Sequence, residues 1–316
     1  MTSILLVIDV FSRHLYHDVE LFVGLFSRYY LQNQTLTPEK INFYLFLDND
    51  APVGNQNFNP ARILGIDCPF FAKGRHDWIG VLCNLLFNIP SENIHLISKI
   101  GDRKYDFIVD REKIDHMGVN TATAPYIKSF PCHEWSGLIS PDKADGRFSI
   151  LYLSRQNTVR KDHGSAQPRA LDEESHEWLC GMVEKYNGTI VDDMGSLSPL
   201  EQIKICRKHD TTISIYGNDL TGAMWMQPQC RVFQIFPSKF EALDVNGGSY
   251  HCLCLCMQHH YTQIDCEVSS QTTLGVSPES RPEYNSPILW PHTYILSENN
   301  KKLLSCHFHL LSSVYG

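Results

Sequence analysis

The chain alternates between short, almost wholly apolar runs and longer stretches with apolar residues at helical spacing. "ILLVIDV" (4–10) and "INFYLFLD" (41–48) are apolar runs that end at or next to an aspartate, and "VELFVGLFSRYYLQNQ" (19–34) between them repeats its apolar residues with a helix's period. Runs this short and this apolar fit strands covered on both faces, so strand, helix, strand in that rhythm predicts a parallel sheet under helices. "HDWIGVLCNLLFNIP" (76–90) reads as a helix stopped by Pro90, and "NIHLISKI" and "YDFIVD" as two further strands. From about 116 to 147 the chain is rich in Pro, Gly and small polar residues, which reads as a connection between domains.

The second half repeats the scheme. "RFSILYLSR" (147–155) predicts a strand and "ALDEESHEWLCGMVEKYNG" (170–188) a helix, with acidic residues in its first turn and Gly188 past its end. "TIVDDM" (189–194) is a strand. "SPLEQIKICRKH" (198–209) opens a helix with Ser198 as cap, Pro199 at the first position and Glu201 closing a capping box. "DTTISIYG" as strand, "LTGAMWMQP" as helix and "CRVFQIFP" as strand follow, and "SENNKKLLSCHFHLL" (297–311) predicts a last helix capped by Ser297. The expectation is an α/β protein of two facing Rossmann-like domains, 1–140 and 141–290, with a C-terminal helix at 291–316 packing back on the N-terminal domain. Ligands of open α/β sheets sit outside the carboxyl ends of the strands, here in the interdomain cleft.

Composition narrows the partners. The 316 residues carry a net charge of −8, against an electrostatic nucleic-acid binder, and no apolar run approaches the length of a membrane span. Eleven cysteines without a leader sequence fit reduced thiols in a cytoplasmic setting.

Candidate chemistry gathers at "SIYGNDLTGAMWM" (214–226). Gly217 permits a tight turn, Asn218 or Asp219 can cap the helix after it, and the free amides at a helix start attract an anion. On its own this turn also serves as an ordinary α/β connection. Arg155 and Arg160, however, stand at the end of one strand of the same sheet and in the loop beyond it. Both should open onto the edge that holds Gly217, and a guanidinium grips a diphosphate bidentately. Two arginines and a helix start supply the counter-charge a metal would otherwise give to a leaving nucleoside diphosphate.

From "ILYLSRQNTVRK" through "VDDMGSLSPLEQIKICRKHDTTISIYGNDLTGAMWMQPQCRVFQIFP" the sequence resembles glycosyltransferase family 61, which includes plant xylosyltransferases and protein-linked N-acetylglucosaminyltransferases. Arg155, Arg160, Glu201, Gln202, Gly217, Leu220, Thr221, Trp225, Met226 and Pro228 match the family's pattern in order. The turn departs from it: Tyr216 stands for the family's histidine, Asn218 for an alanine, Asp219 for a glycine and Gly222 for an asparagine. In the first half "RHDWIGVLCNLLFN" places His76 in register with the family's His-Trp-x-x-Asp helix.

The resemblance implies a GT-B fold, a nucleotide-sugar donor, a glycan acceptor, inversion at the anomeric carbon and no required metal or further cofactor. Donor contacts then fall to Arg155, Arg160, Glu201, Tyr216, Gly217, Asn218, Asp219, Leu220 and Thr221. The general base that takes the acceptor's proton comes from the N-terminal domain, with Asp77 and His76 ahead of Asp9, and Asp48 or Asp50 further candidates. UDP-xylose is the favoured donor and UDP-N-acetylglucosamine the second, in the cytoplasm of a bacterium or a virus-infected cell. The alternative is a non-catalytic nucleotide- or carbohydrate-binding protein. "DND" (48–50) raises a metal-dependent site as the contrary reading, and "HCLCLCMQHH" (251–260) lacks zinc-ligand spacing.

Overall fold

The computed structural model describes residues 2–8, 40–47, 91–97, 102–110, 147–156, 170–197, 199–227, 229–237, 250–251, 253–255, 257–269 and 293–315. The chain divides into two compact units, Met1–Ile139 with Leu197–Gln202, and Ser140–Ser196 with Ile203–Gly316.

The first unit holds four strands: β1 (Thr2–Ile8), β2 (Ile41–Leu47), β3 (Ile94–Ile97) and β4 (Phe107–Asp110). They pair in the order β3-β2-β1-β4, parallel throughout. Ile4, Leu5, Ile41 and Phe43 are buried, as near-continuous apolar strands of a parallel sheet must be. The helices expected at 19–34 and 76–90 lie outside the described residues.

The second unit carries β5 (Ile150–Leu153), β6 (Ala170–Leu171), α1 (Glu173–Lys185), β7 (Thr189–Val191), α2 (Pro199–Arg207), β8 (Thr211–Ile215), β9 (Arg231–Pro237), β10 (His260–Ser269), β11 (Thr293–Ile295) and α3 (Glu298–Tyr315). The first residues of α2, to Gln202, group with the other unit. The sheet order is β6-β11-β10-β9-β8-β5-β7. From β7 to β10 every pair is parallel; β11 runs antiparallel to β10 and parallel to β6. The chain thus enters at β5, steps to β7 on one side, then builds β8, β9 and β10 on the other.

Strand periodicity sorts the side chains. Ile150 and Tyr152, Ile213 and Ile215, Phe233 and Ile235, and Ile264 and Cys266 face one core with Leu179 and Val183 of α1 and Leu304, Phe308 and Leu311 of α3. The alternate residues Leu151, Leu153, Thr212, Ser214, Val232 and Gln234 are buried as well, so both faces of this sheet are covered.

Three details differ from the sequence reading. The helix expected from 170 starts at Glu173, because Ala170 and Leu171 pair with β11 and Asp172 becomes the cap, accepting a hydrogen bond from Ser175 N at 3.2 Å. The stretch after β8 is an eight-residue 3-10 helix, Asn218–Trp225, and not an α-helix. The last helix was expected against the N-terminal domain. Instead its buried face joins the second unit's core, where Phe308 meets Phe233 and Tyr186 edge-on at 5.7 and 6.1 Å.

Candidate functional site

In the second unit the strand order reverses between β5 and β8, and a crevice at such a switch point is where open α/β sheets bind ligands. Three strands deliver their carboxyl ends there, β7, β5 and β8, side by side.

β5 ends at Leu153, whose carbonyl accepts a hydrogen bond from Ser214 Oγ at 2.9 Å. Ser154 N continues the ladder to Val191 O at 2.9 Å, and Ser154 Oγ donates to Asp192 Oδ1, just past β7. The chain then turns sharply. Arg155 has φ 59°, the left-handed region, which costs an L-residue roughly 1–2 kcal/mol. Gln156 holds the far side of the turn, donating Nε2 to Leu171 O at 2.9 Å. Strained backbone of this kind persists where the surroundings over-determine it, commonly at ligand sites.

That turn sends the Arg155 side chain to the end of β8, where it is 4% exposed. It lies directly on Gly217: a Cβ at that position would overlap Arg155 Nη1 and stand 2.9 Å from Cζ. Any other residue would push the guanidinium away. Arg155 Nη1 also forms an ion pair with Asp219 Oδ2 at 3.4 Å. Among the described residues neither Nε nor Nη1 has a hydrogen-bond acceptor, so a buried charge keeps donors unsatisfied at the switch point, an arrangement an incoming anion would complete.

The remaining expected donor contacts sort clearly. Gly217 caps the 3-10 helix with no side-chain hydrogen bond, so neither Asn218 nor Asp219 is the cap the sequence suggested; Asp219 turns to Arg155 instead. Asn218 opens the helix, and its side chain lies outside the described residues. Tyr216, partly exposed, packs edge-on against Phe236 and Tyr250, each at 5.5 Å between ring centres, which explains an aromatic ring there by packing. Leu220 and Thr221 are fully buried, so they build the helix's packed side and present no surface to a ligand. Glu201 is exposed on α2. Arg160 and the base candidates Asp77, His76, Asp9, Asp48 and Asp50 lie outside the described residues.

Ser154 and Asp192 were not singled out in the sequence. The available signal was the position of "VDD" after the second strand of an α/β unit, where an acidic residue commonly meets a nucleotide's ribose. Asp193 is occupied by its own turn: Oδ1 accepts from Gly195 N at 3.0 Å, and its carbonyl from Ser196 Oγ at 2.7 Å.

Beside this edge lies a polar cluster of different character. Tyr152 OH and His176 Nδ1 are 3.1 Å apart, and Cys180 Sγ is 3.5 Å from His176 Nε2. Burial pushes the Cys180 thiol up, with the negative charge of Asp192 adding to the effect, which disfavours the thiolate. Burial, then the charges of Cys180 and Asp192, likewise push the Tyr152 phenol up. His259 is a buried structural histidine, its Nε2 2.9 Å from Ala223 O; Cys252 and Cys256 lie outside the described residues. Among the described residues no group of three or more His, Cys, Asp or Glu is placed to hold a metal ion, and no helix is long and apolar enough to cross a membrane.

Fold and site together define an α/β protein with a candidate anion site at the switch point of its second unit. No protein-family model matches the chain, and no curated protein matches it in sequence.

Proposed function

We propose that the protein is an inverting, metal-independent glycosyltransferase of GT-B type that moves a sugar from a nucleoside diphosphate, UDP-xylose first among candidates, to a glycan hydroxyl in the cytoplasm of a bacterium or a virus-infected cell. One observation carries the reading: the strained, buried Arg155 lays a guanidinium with unsatisfied donors on Gly217, at the start of a helix and at the switch point. As the glycosidic bond breaks, negative charge grows on the leaving diphosphate. A fixed guanidinium stabilises that charge without reorganising, and Arg160 adds a second positive charge in this reading. The acceptor hydroxyl loses its proton to a base of the first unit, Asp77 or His76 before Asp9. Free thiols at the six described cysteines suit the reducing compartment.

The ion pair with Asp219 favours a second reading, a non-catalytic nucleotide- or carbohydrate-binding protein, because it already offsets part of the arginine's charge. Incubating the full chain with a panel of nucleotide sugars, including UDP-N-acetylglucosamine, separates the two. A glycoside product that still forms in excess EDTA supports the transferase. Binding without turnover across the panel supports the binding protein, and loss of activity that manganese restores supports a metal-dependent enzyme. Arg155→Ala should weaken UDP binding, measured by calorimetry, by about tenfold or more, the scale of a charged hydrogen bond. Unchanged affinity removes the anion site.

A further inference from the structure

We infer that Asp192 is the ribose-binding residue of this site, so that a nucleoside diphosphate lies across the strand ends with its sugar diol over β7 and its phosphates over β8. The inference rests on the nucleotide reading above and adds a binding position and a direction to it.

Topology supplies the first argument. Leu153 pairs with Val191 on one side and with Ser214 on the other, so the residues just beyond these strands form a row: Asp192, then Ser154 and Arg155, then Gly217 and Asp219. Adjacent strands lie about 4.8 Å apart, so β7 and β8 are two steps, roughly 10 Å, apart across this edge. That is the reach of a nucleoside diphosphate from its ribose hydroxyls to its terminal phosphate. The one end of the row with buried, unsatisfied guanidinium donors is the phosphate end, and this fixes the direction.

Chemistry supplies the second. A ribose diol presents two hydroxyl donors on adjacent carbons, and an ionised carboxylate, acceptor only, has about four lone-pair sites with which to meet them. Asp192 is partly exposed, and Ser154 Oγ donates to Oδ1 and so orients the group from the β5 side. Asp193, the neighbouring candidate, is turned into its own 3-10 turn by Gly195 N. Asp219 is at the wrong end of the row and faces Arg155.

The test is calorimetric titration of the full chain with UDP, 2′,3′-dideoxy-UDP and inorganic pyrophosphate. Wild type should bind UDP about tenfold more tightly than the dideoxy analogue, the scale of hydrogen bonds to a charged group. Asp192→Asn should lose most of that ratio while keeping its pyrophosphate affinity, a selective change that a merely structural role would not produce. Equal binding of UDP and the dideoxy analogue by wild type overturns the ribose assignment, and this arm needs no variant to fold. A preserved ratio in Asp192→Asn overturns it too. In either case pyrophosphate binding that is lost in Arg155→Ala leaves the anion site standing. Failure of wild type to bind either UDP or pyrophosphate removes the nucleotide reading and the ribose assignment with it.

Discussion

Arg155, Gly217 and Asp219 form one small machine, and each can be varied by itself. Gly217→Ala puts a methyl group where Arg155 Nη1 now lies. The obstacle is the far end of a flexible side chain, so the guanidinium yields before the backbone does. We expect an unchanged circular dichroism spectrum together with a loss of UDP affinity close to that of Arg155→Ala. Intact binding would mean that the arginine's position on the glycine is incidental. Asp219 acts in the opposite sense. Its carboxylate, 3.4 Å from Nη1, stands where a phosphate oxygen would approach, and ligand and side chain carry the same charge. Asp219→Asn should therefore tighten pyrophosphate binding by roughly fivefold, about 1 kcal/mol of relieved repulsion. Weaker binding by the variant would instead make the carboxylate part of the recognition surface.

At the scale of elements, local signals were legible and docking was not. The cap of α3 was readable at Ser297, whose Oγ accepts from Asn300 N at 3.2 Å, whereas the cap of α1 at Asp172 was not, because the pairing of Ala170 and Leu171 with β11 decides where that helix begins. Apolar spacing in 297–311 reveals a helix with a buried face but not the surface that face meets. Leu303, Leu310 and Val314 remain exposed and blur even the choice of face. β6 and β11 pair over only two residues, too few for any periodicity to register. The 3-10 geometry of 218–225 is set by tertiary packing, since every residue from Leu220 to Trp225 is buried. What holds α3 in place can be measured. Phe308 is fully buried between Phe233 and Tyr186, so Phe308→Ala should cost about 3–5 kcal/mol in chemical denaturation. Lys301 also ties α3 to Glu174 of α1 at 2.5 Å. This hydrogen bond holds the Glu174 carboxyl below its usual range, so any stabilisation is present above the unfolded carboxylate pKa and is lost as pH falls through the folded one. Glu174 is 78% exposed, and water and salt screen such a pair, so Lys301→Met should shift the denaturation midpoint far less than Phe308→Ala does.

For the whole molecule, the rhythm of apolar runs and helical stretches made a parallel α/β architecture readable, but not the order of the strands. A right-handed crossover can place the next strand on either side of the last. The order decides which loop ends become neighbours, so only the structure could bring Asp192 into line with Arg155 and Gly217. The division into units then predicts where binding resides. The β7-β5-β8 edge, the core shared by α1 and α3, and all of the described anion-site residues except Glu201 belong to Ser140–Ser196 with Ile203–Gly316. A fragment of residues 140–316, which keeps the intervening 197–202, should therefore unfold in one cooperative transition by calorimetry. It should also bind UDP with an affinity close to the full chain's, yet form no glycoside, because the proposed base is missing. A fragment that melts cooperatively without binding UDP would show that residues of the first unit complete the phosphate site, and the charge supplied by Arg155 would then be insufficient to hold the nucleotide.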